Sequence, residues 1–138
     1  MTEMTPPYWV IRYVESGESV PGGPFTVFIA ENDDEDGHYF DLQCMPDEPS
    51  AQNIKLELDS YCIVSENGGV HYGGLKEVTL QPDRLVLQFL DDAVEELDLP
   101  SGVVELGIAP GIDIDEIRSG LRRVLSYGNP GKIPRMNF

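Results

Sequence analysis

The sequence predicts an α+β fold: a mostly antiparallel β-sheet with a short helix and a C-terminal amphipathic helix packed on one face. Two observations predict it. Short β-branched and aromatic runs separated by turn residues fill the chain as far as Ala109, whereas helical periodicity appears only at Asp91–Leu97 and Asp113–Gly128. The 138 residues suit one compact domain, with no internal repeat and no linker. Its expected bounds are 1–128, with 129–138 as a loose C-terminal tail.

The elements follow in order. "YWVIRYVE" (Tyr8–Glu15) reads as one strand, and Pro21-Gly22-Gly23 as a turn. "FTVFIAE" (Phe25–Glu31) is apolar on both faces, which suits a central strand. "HYFDLQCM" (His38–Met45) alternates, with Phe40, Leu42 and Cys44 on one face. The acidic run Asp33–Asp36 therefore falls at a hairpin tip.

Pro46–Gln52 reads as a loop, and "IKLELD" as a strand with Ile54, Leu56 and Leu58 on one side. Asn67-Gly68 between apolar runs predicts a hairpin with a type I′ turn. "LKEVTL" and "RLVLQF" form a second hairpin around Gln81-Pro82-Asp83. Asp92 with Glu95 three residues on has capping-box spacing and opens a short helix. "VVELGIA" (Val103–Ala109) is a further strand. Asp113 is the expected N-cap of the final helix, whose apolar face is Ile114, Ile117, Leu121, Val124 and Leu125. Gly128 closes it and Pro130 stops it.

The formal net charge is -16. All 25 acids lie at or before Glu116, where only Arg12, Lys55, Lys76 and Arg84 oppose them. Such a field repels nucleic acid and anionic membranes, attracts basic proteins, and also serves plain solubility. The start has no apolar h-region, and no apolar run approaches the ~18 residues of a membrane span. With two cysteines, Cys44 and Cys62, and no CxxC, the chain reads as cytoplasmic with reduced thiols. A disulfide between the two stays open at this point.

Motifs for chemistry are sparse. Counted from Asn32, the acidic run places Asp34, Asp36 and Gly37 where a calcium loop needs them, but Gln43 stands where a bidentate Glu belongs and the flanks read as strands. No metal or cofactor is therefore expected. Ser60 and Ser65 lie in no nucleophile motif, and the glycine pairs fit no phosphate loop. Tyr8, Trp9 and Tyr13 fit sheet packing. The candidate partner-binding residues are Asp33, Asp34, Glu35 and Asp36 at the tip, and Asp91, Asp92, Glu95 and Glu96 on the short helix. The Asn67–Gly69 hairpin is a rival contact surface.

The segment "DSYCIVSENGGVHYGGLKEVTLQPDRLVLQFLDDAVEELDLP" (Asp59–Pro100) orders Tyr-Cys, a hairpin, Tyr-Gly-Gly, two strands and an acidic helix opening with "DDA". It resembles the family called immunity protein ten, found beside secreted polymorphic toxins, and the resemblance spans roughly residues 25–127. It implies a non-enzymatic cytoplasmic inhibitor that binds a cognate toxin, which in many such systems is a nuclease with a basic cleft. The alternative is a small enzyme or ligand-binding domain with a pocket near His71, Tyr72 and Cys62. A third reading is an acidic accessory protein with no toxin partner.

Overall fold

The computed structural model describes residues 7–33 and 36–138. Among these residues, ten strands form two five-stranded sheets. The first runs, edge to edge, β1 (Trp9–Ile11), β9 (Val103–Ile108), β8 (Arg84–Phe89), β7 (Leu75–Gln81) and β10 (Arg135–Asn137). Its three central strands are antiparallel, and β1 and β10 add parallel edges. The second is an antiparallel meander of β2 (Tyr13–Glu18), β3 (Phe25–Ala30), β4 (Tyr39–Cys44), β5 (Cys62–Ser65) and β6 (Val70–Tyr72).

The expected strand Tyr8–Glu15 is in fact two strands, one in each sheet. The break falls at a single peptide unit. The Ile11 carbonyl accepts from Ala109 N–H in the first sheet (3.0 Å), while Arg12 N–H donates to the Ala30 carbonyl in the second (2.9 Å). Every buried backbone polar group needs a partner. Here one amide finds its two partners in different sheets.

Alternation puts Val27, Ile29, Phe40, Leu42, Cys44 and Ile63 on the inner face of the second sheet, all buried. Two things cover that face. The first sheet meets it where Phe40 packs on Trp9 and Phe89, with ring centroids 5.9 and 6.0 Å apart. The helix α3 (Ile114–Leu125) lies across β2, β3 and β4. As expected, Asp113 caps α3, its carboxylate accepting from Asp115 and Glu116 N–H. Ile117, Leu121, Val124 and Leu125 are buried. Arg123 near the last turn lies 4.0 Å from the Phe25 ring centroid.

Four local expectations fail for identifiable reasons. The "IKLELD" alternation is no strand: Ser50 caps a short helix α1 (Ala51–Lys55), its Oγ accepting from Asn53 N–H at 3.1 Å. Ile54, Leu56 and Leu58 are left exposed, at 58%, 55% and 37%. The turn after β5 is a three-residue loop, with only Gly68 left-handed (φ 80°); Ser65 N–H bonds to the Gly69 carbonyl at 3.1 Å. The helix α2 (Asp91–Glu96) starts from Leu90, not Asp92: the Leu90 carbonyl accepts the first helical bond from Val94 N–H (3.1 Å), with no side-chain cap, while Leu90 N–H is tied to the Gly74 carbonyl (2.8 Å). Asp92 instead accepts from Ala93 N–H within the first turn.

The fourth is the segment 129–138, expected as a loose tail. Pro130–Lys132 forms a 3-10 turn, and Arg135–Asn137 becomes β10 against β7. Lys132 Nζ donates to the Glu57 carbonyl (2.9 Å) and to Asp59 Oδ1 (3.1 Å), and Tyr61 Oη donates to the Lys132 carbonyl (3.2 Å).

Candidate functional site

The acidic hairpin closes with the β3–β4 pair Ala30↔Tyr39 and the bond from Glu31 N–H to the His38 carbonyl (2.9 Å). Asp33 and Asp36 are exposed at its tip. Asp34 and Glu35 lie outside the described residues. The flanks are strands, so the frame that an EF-hand loop takes from two helices is not present here. Among the described residues no group of three or more His, Cys, Asp or Glu is arranged to hold a metal ion.

At the base of this hairpin, His38 Nδ1 lies 2.6 Å from Glu66 Oε1. Glu66 opens the β5–β6 turn, and its other oxygen accepts from Tyr39 N–H (3.4 Å). The same turn leans on the end of α2. Ser65 Oγ donates to the Leu97 carbonyl (3.3 Å), and Gly69 sits so close that a Cβ would stand 2.4 Å from the Glu96 carbonyl oxygen. Tyr8 reports the convergence of charge. Burial first, then the carboxylates of Glu66 and Asp98, push its hydroxyl above the usual tyrosine pKa. The three surfaces that rival one another in sequence are thus linked at their bases, the hairpin through His38 to Glu66 and the β5–β6 turn through Gly69 to Glu96.

On α2, the acids Asp91, Asp92, Glu95 and Glu96 are all exposed. Asp92 and Glu96, four apart and on one helix face, hold the buried His71 between them. Glu96 Oε2 lies 3.0 Å from Nδ1 and Asp92 Oδ2 lies 3.7 Å from Nε2. Both carboxylates keep most of their exposure, 55% and 68%. The histidine is therefore a strut between β6 and α2.

The arrangement bears on the enzyme alternative. His71 and Tyr72 line a cleft of ≈ 400 Å³. Cys62 does not; it lines a smaller one of ≈ 240 Å³ with Tyr72, Gln43 and Leu58. Ile63 is the register partner of His71, so Cys62 and His71 fall on opposite faces of the sheet. Burial, helped by Asp41, pushes the Cys62 thiol up to about 11, away from the thiolate a nucleophile needs. The suggested combination of Cys62 with His71 is not assembled.

Sequence reasoning missed Glu66, Glu57 and the exposed leucines after α1. Glu66 was hidden because its partner, His38, is 28 residues away. The leucines were hidden by an alternation that mimics a half-buried strand.

The comparisons agree with the resemblance. The family model described as immunity protein 10 matches residues 11–114, most of the two sheets. The chain belongs to the immunity protein 10 family. No curated protein and no solved structure matches it. The match takes in β2, which the resemblance from residue 25 onward left out.

Proposed function

We propose that the protein is a cytoplasmic, non-enzymatic inhibitor that binds and neutralises a cognate secreted toxin, of a basic, nuclease-like kind, through its acidic surface. Membership of an immunity family supports an inhibitory role. The observation that carries the surface is the Glu66 bridge. Through His38 it anchors the base of the hairpin that carries Asp33 and Asp36, and through the turn to Gly69 it meets α2 with Asp91, Asp92, Glu95 and Glu96. A basic nuclease cleft is built to take a phosphate backbone. Carboxylates on these linked elements offer it the same sign of charge, and long-range attraction speeds encounter. No described helix is long and apolar enough to cross a membrane.

The test is association kinetics with the toxin domain encoded beside this chain, from about 50 to 200 mM salt, where the Debye length shortens toward 8 Å. Replacing Asp33, Asp34, Glu35 and Asp36 with Asn or Gln, and in a second variant Asp91, Asp92, Glu95 and Glu96, should slow association and flatten its salt dependence. Melting should be unchanged for the tip variant. If both variants associate like the parent at every salt concentration, the acidic surface is only a solvated one.

A further inference from the structure

Ten large apolar side chains stand exposed among the described residues, and five of them line one cleft: Leu56, Leu58, Val70, Tyr72 and Leu90. Exposed apolar groups scattered singly need no explanation, but half of them converging on one concavity does. The cleft lies between the segment after α1, the edge strand β6 and α2. Its rim is acidic, formed by Glu57, Asp92 and Glu96. The cation at the site, Lys132, is committed to the Glu57 carbonyl and the Asp59 carboxylate.

The leucines are held in the open by structure. Glu57, between them, is a non-glycine residue in the left-handed region (φ 60°). Leu58 N–H bonds back to the Asn53 carbonyl at 2.8 Å, and Lys132 clamps the Glu57 carbonyl from the other side. This is a left-handed helix end of the Schellman kind, and so fixed it leaves Leu56 and Leu58 facing water at the mouth of the cleft.

We propose that this cleft seats a lysine or arginine flanked by apolar residues, carried on an exposed loop of the toxin. The inference rests on the toxin-binding reading above and adds an anchor to it. The aliphatic stem of the cation would cover Leu56, Leu58 and Val70, and its charged head would meet Glu57, Asp92 and Glu96. A second copy of this chain fits poorly. An isologous contact would press the same three carboxylates against themselves, in a chain of net charge -16. Nucleic acid is repelled by the same rim. The acidic surface thus governs encounter, and the cleft governs residence, as buried anchors do at interfaces.

The experiment uses the full chain and the adjacent toxin domain with its active site disabled. Leu56→Ser, Leu58→Ser and Val70→Ser in one variant, and Val70→Ser alone in another, remove the anchor and leave every acid in place. Release from the triple variant should quicken about ten-fold or more, with association within about two-fold of the parent. Hydrogen exchange on the unmodified complex should show protection at 56–58 and 70–72. Unchanged release together with unprotected 56–58 and 70–72 overturns the proposal; if the tip variant still slows association, toxin binding itself stands. A parent chain that does not bind the toxin domain overturns both readings. A self-dimer that Val70→Ser dissolves would assign the cleft to a second copy and overturn the proposal.

Discussion

Gly120 of α3 lies so close over Val27 of β3 that a Cβ at Gly120 would stand 2.7 Å from the valine Cγ2. Both residues are buried, and Val27 is branched and locked in a strand. Glycine inside a helix costs roughly 0.5–1 kcal/mol relative to alanine. Here it buys the helix its approach to the sheet. Gly120→Ala regains that propensity but overpacks the contact, a change that costs about 1–3 kcal/mol. The expected net result is a loss near 1 kcal/mol, or a melting point lower by about 3–5 °C. A variant that melts at or above the parent would show that the helix can slide away freely.

Leu121 beside it is fully buried. Leu121→Ala should cost about 2–5 kcal/mol, read as a lower urea midpoint. An unchanged midpoint would mean that α3 contributes nothing to the core.

The bond between Lys132 and Asp59 sets a pH dependence. The ammonium holds the Asp59 carboxyl below its usual range, against burial, which acts to raise it. A folded pKa below the unfolded one gives stability that is present above the unfolded value of about 3.9 and is lost as pH falls through the folded value. Asp59→Asn should therefore be less stable than the parent at pH 6, with the two converging toward pH 2. Urea unfolding across that range checks it. Parallel curves would exclude a role for this carboxylate in acid unfolding.

Cys44 and Cys62 should resist both alkylation and bridging. Cys44 points into the core, and Cys62, opposite Gln43, points out of the other face of the sheet. Burial raises both thiols, Cys62 to about 11. At pH 8 that leaves about one Cys62 thiolate in a thousand. Iodoacetamide should label the folded protein about a hundred-fold more slowly than the unfolded one. Diamide should leave both thiols free within each chain, because side chains on opposite faces cannot meet disulfide geometry. An intrachain bridge found by mass spectrometry would contradict the register of β4 and β5.

Calcium titration by calorimetry should show no site at Asn32–Gln43 tighter than about millimolar, the weak end for such loops. The strand flanks and Gln43 at the twelfth position motivate this. A stoichiometric micromolar heat would overturn it.

Much of the fold was legible where local chemistry and tertiary need agree. Asp113 caps α3, the alternation of Phe40, Leu42 and Cys44 marks an inner face, and both expected hairpins form, the first around a longer turn than Asn67-Gly68 suggests. What stayed hidden was set over long distances. Nothing in "YWVIRYVE" says that the Ile11–Arg12 amide must serve two sheets. The three residues of β10 are too few to show alternation, and their strand partner lies 58 residues upstream. The acidic residues were visible as a composition, but the contacts that link their elements, His38 with Glu66 and Gly69 with Glu96, join residues 28 and 27 positions apart.

The pairing of β1 with β9 has a consequence for timing. Each strand of the second sheet finds its partner in the strand made just before it, so that sheet can close as it is translated. The strand β1 cannot: Trp9 waits for Leu106, 97 residues later. At about 5–20 residues per second, that is a delay of roughly 5–20 seconds. For that interval a newly made chain carries an unpaired apolar strand, at first beside a growing meander and, once Tyr72 is made, beside a finished one.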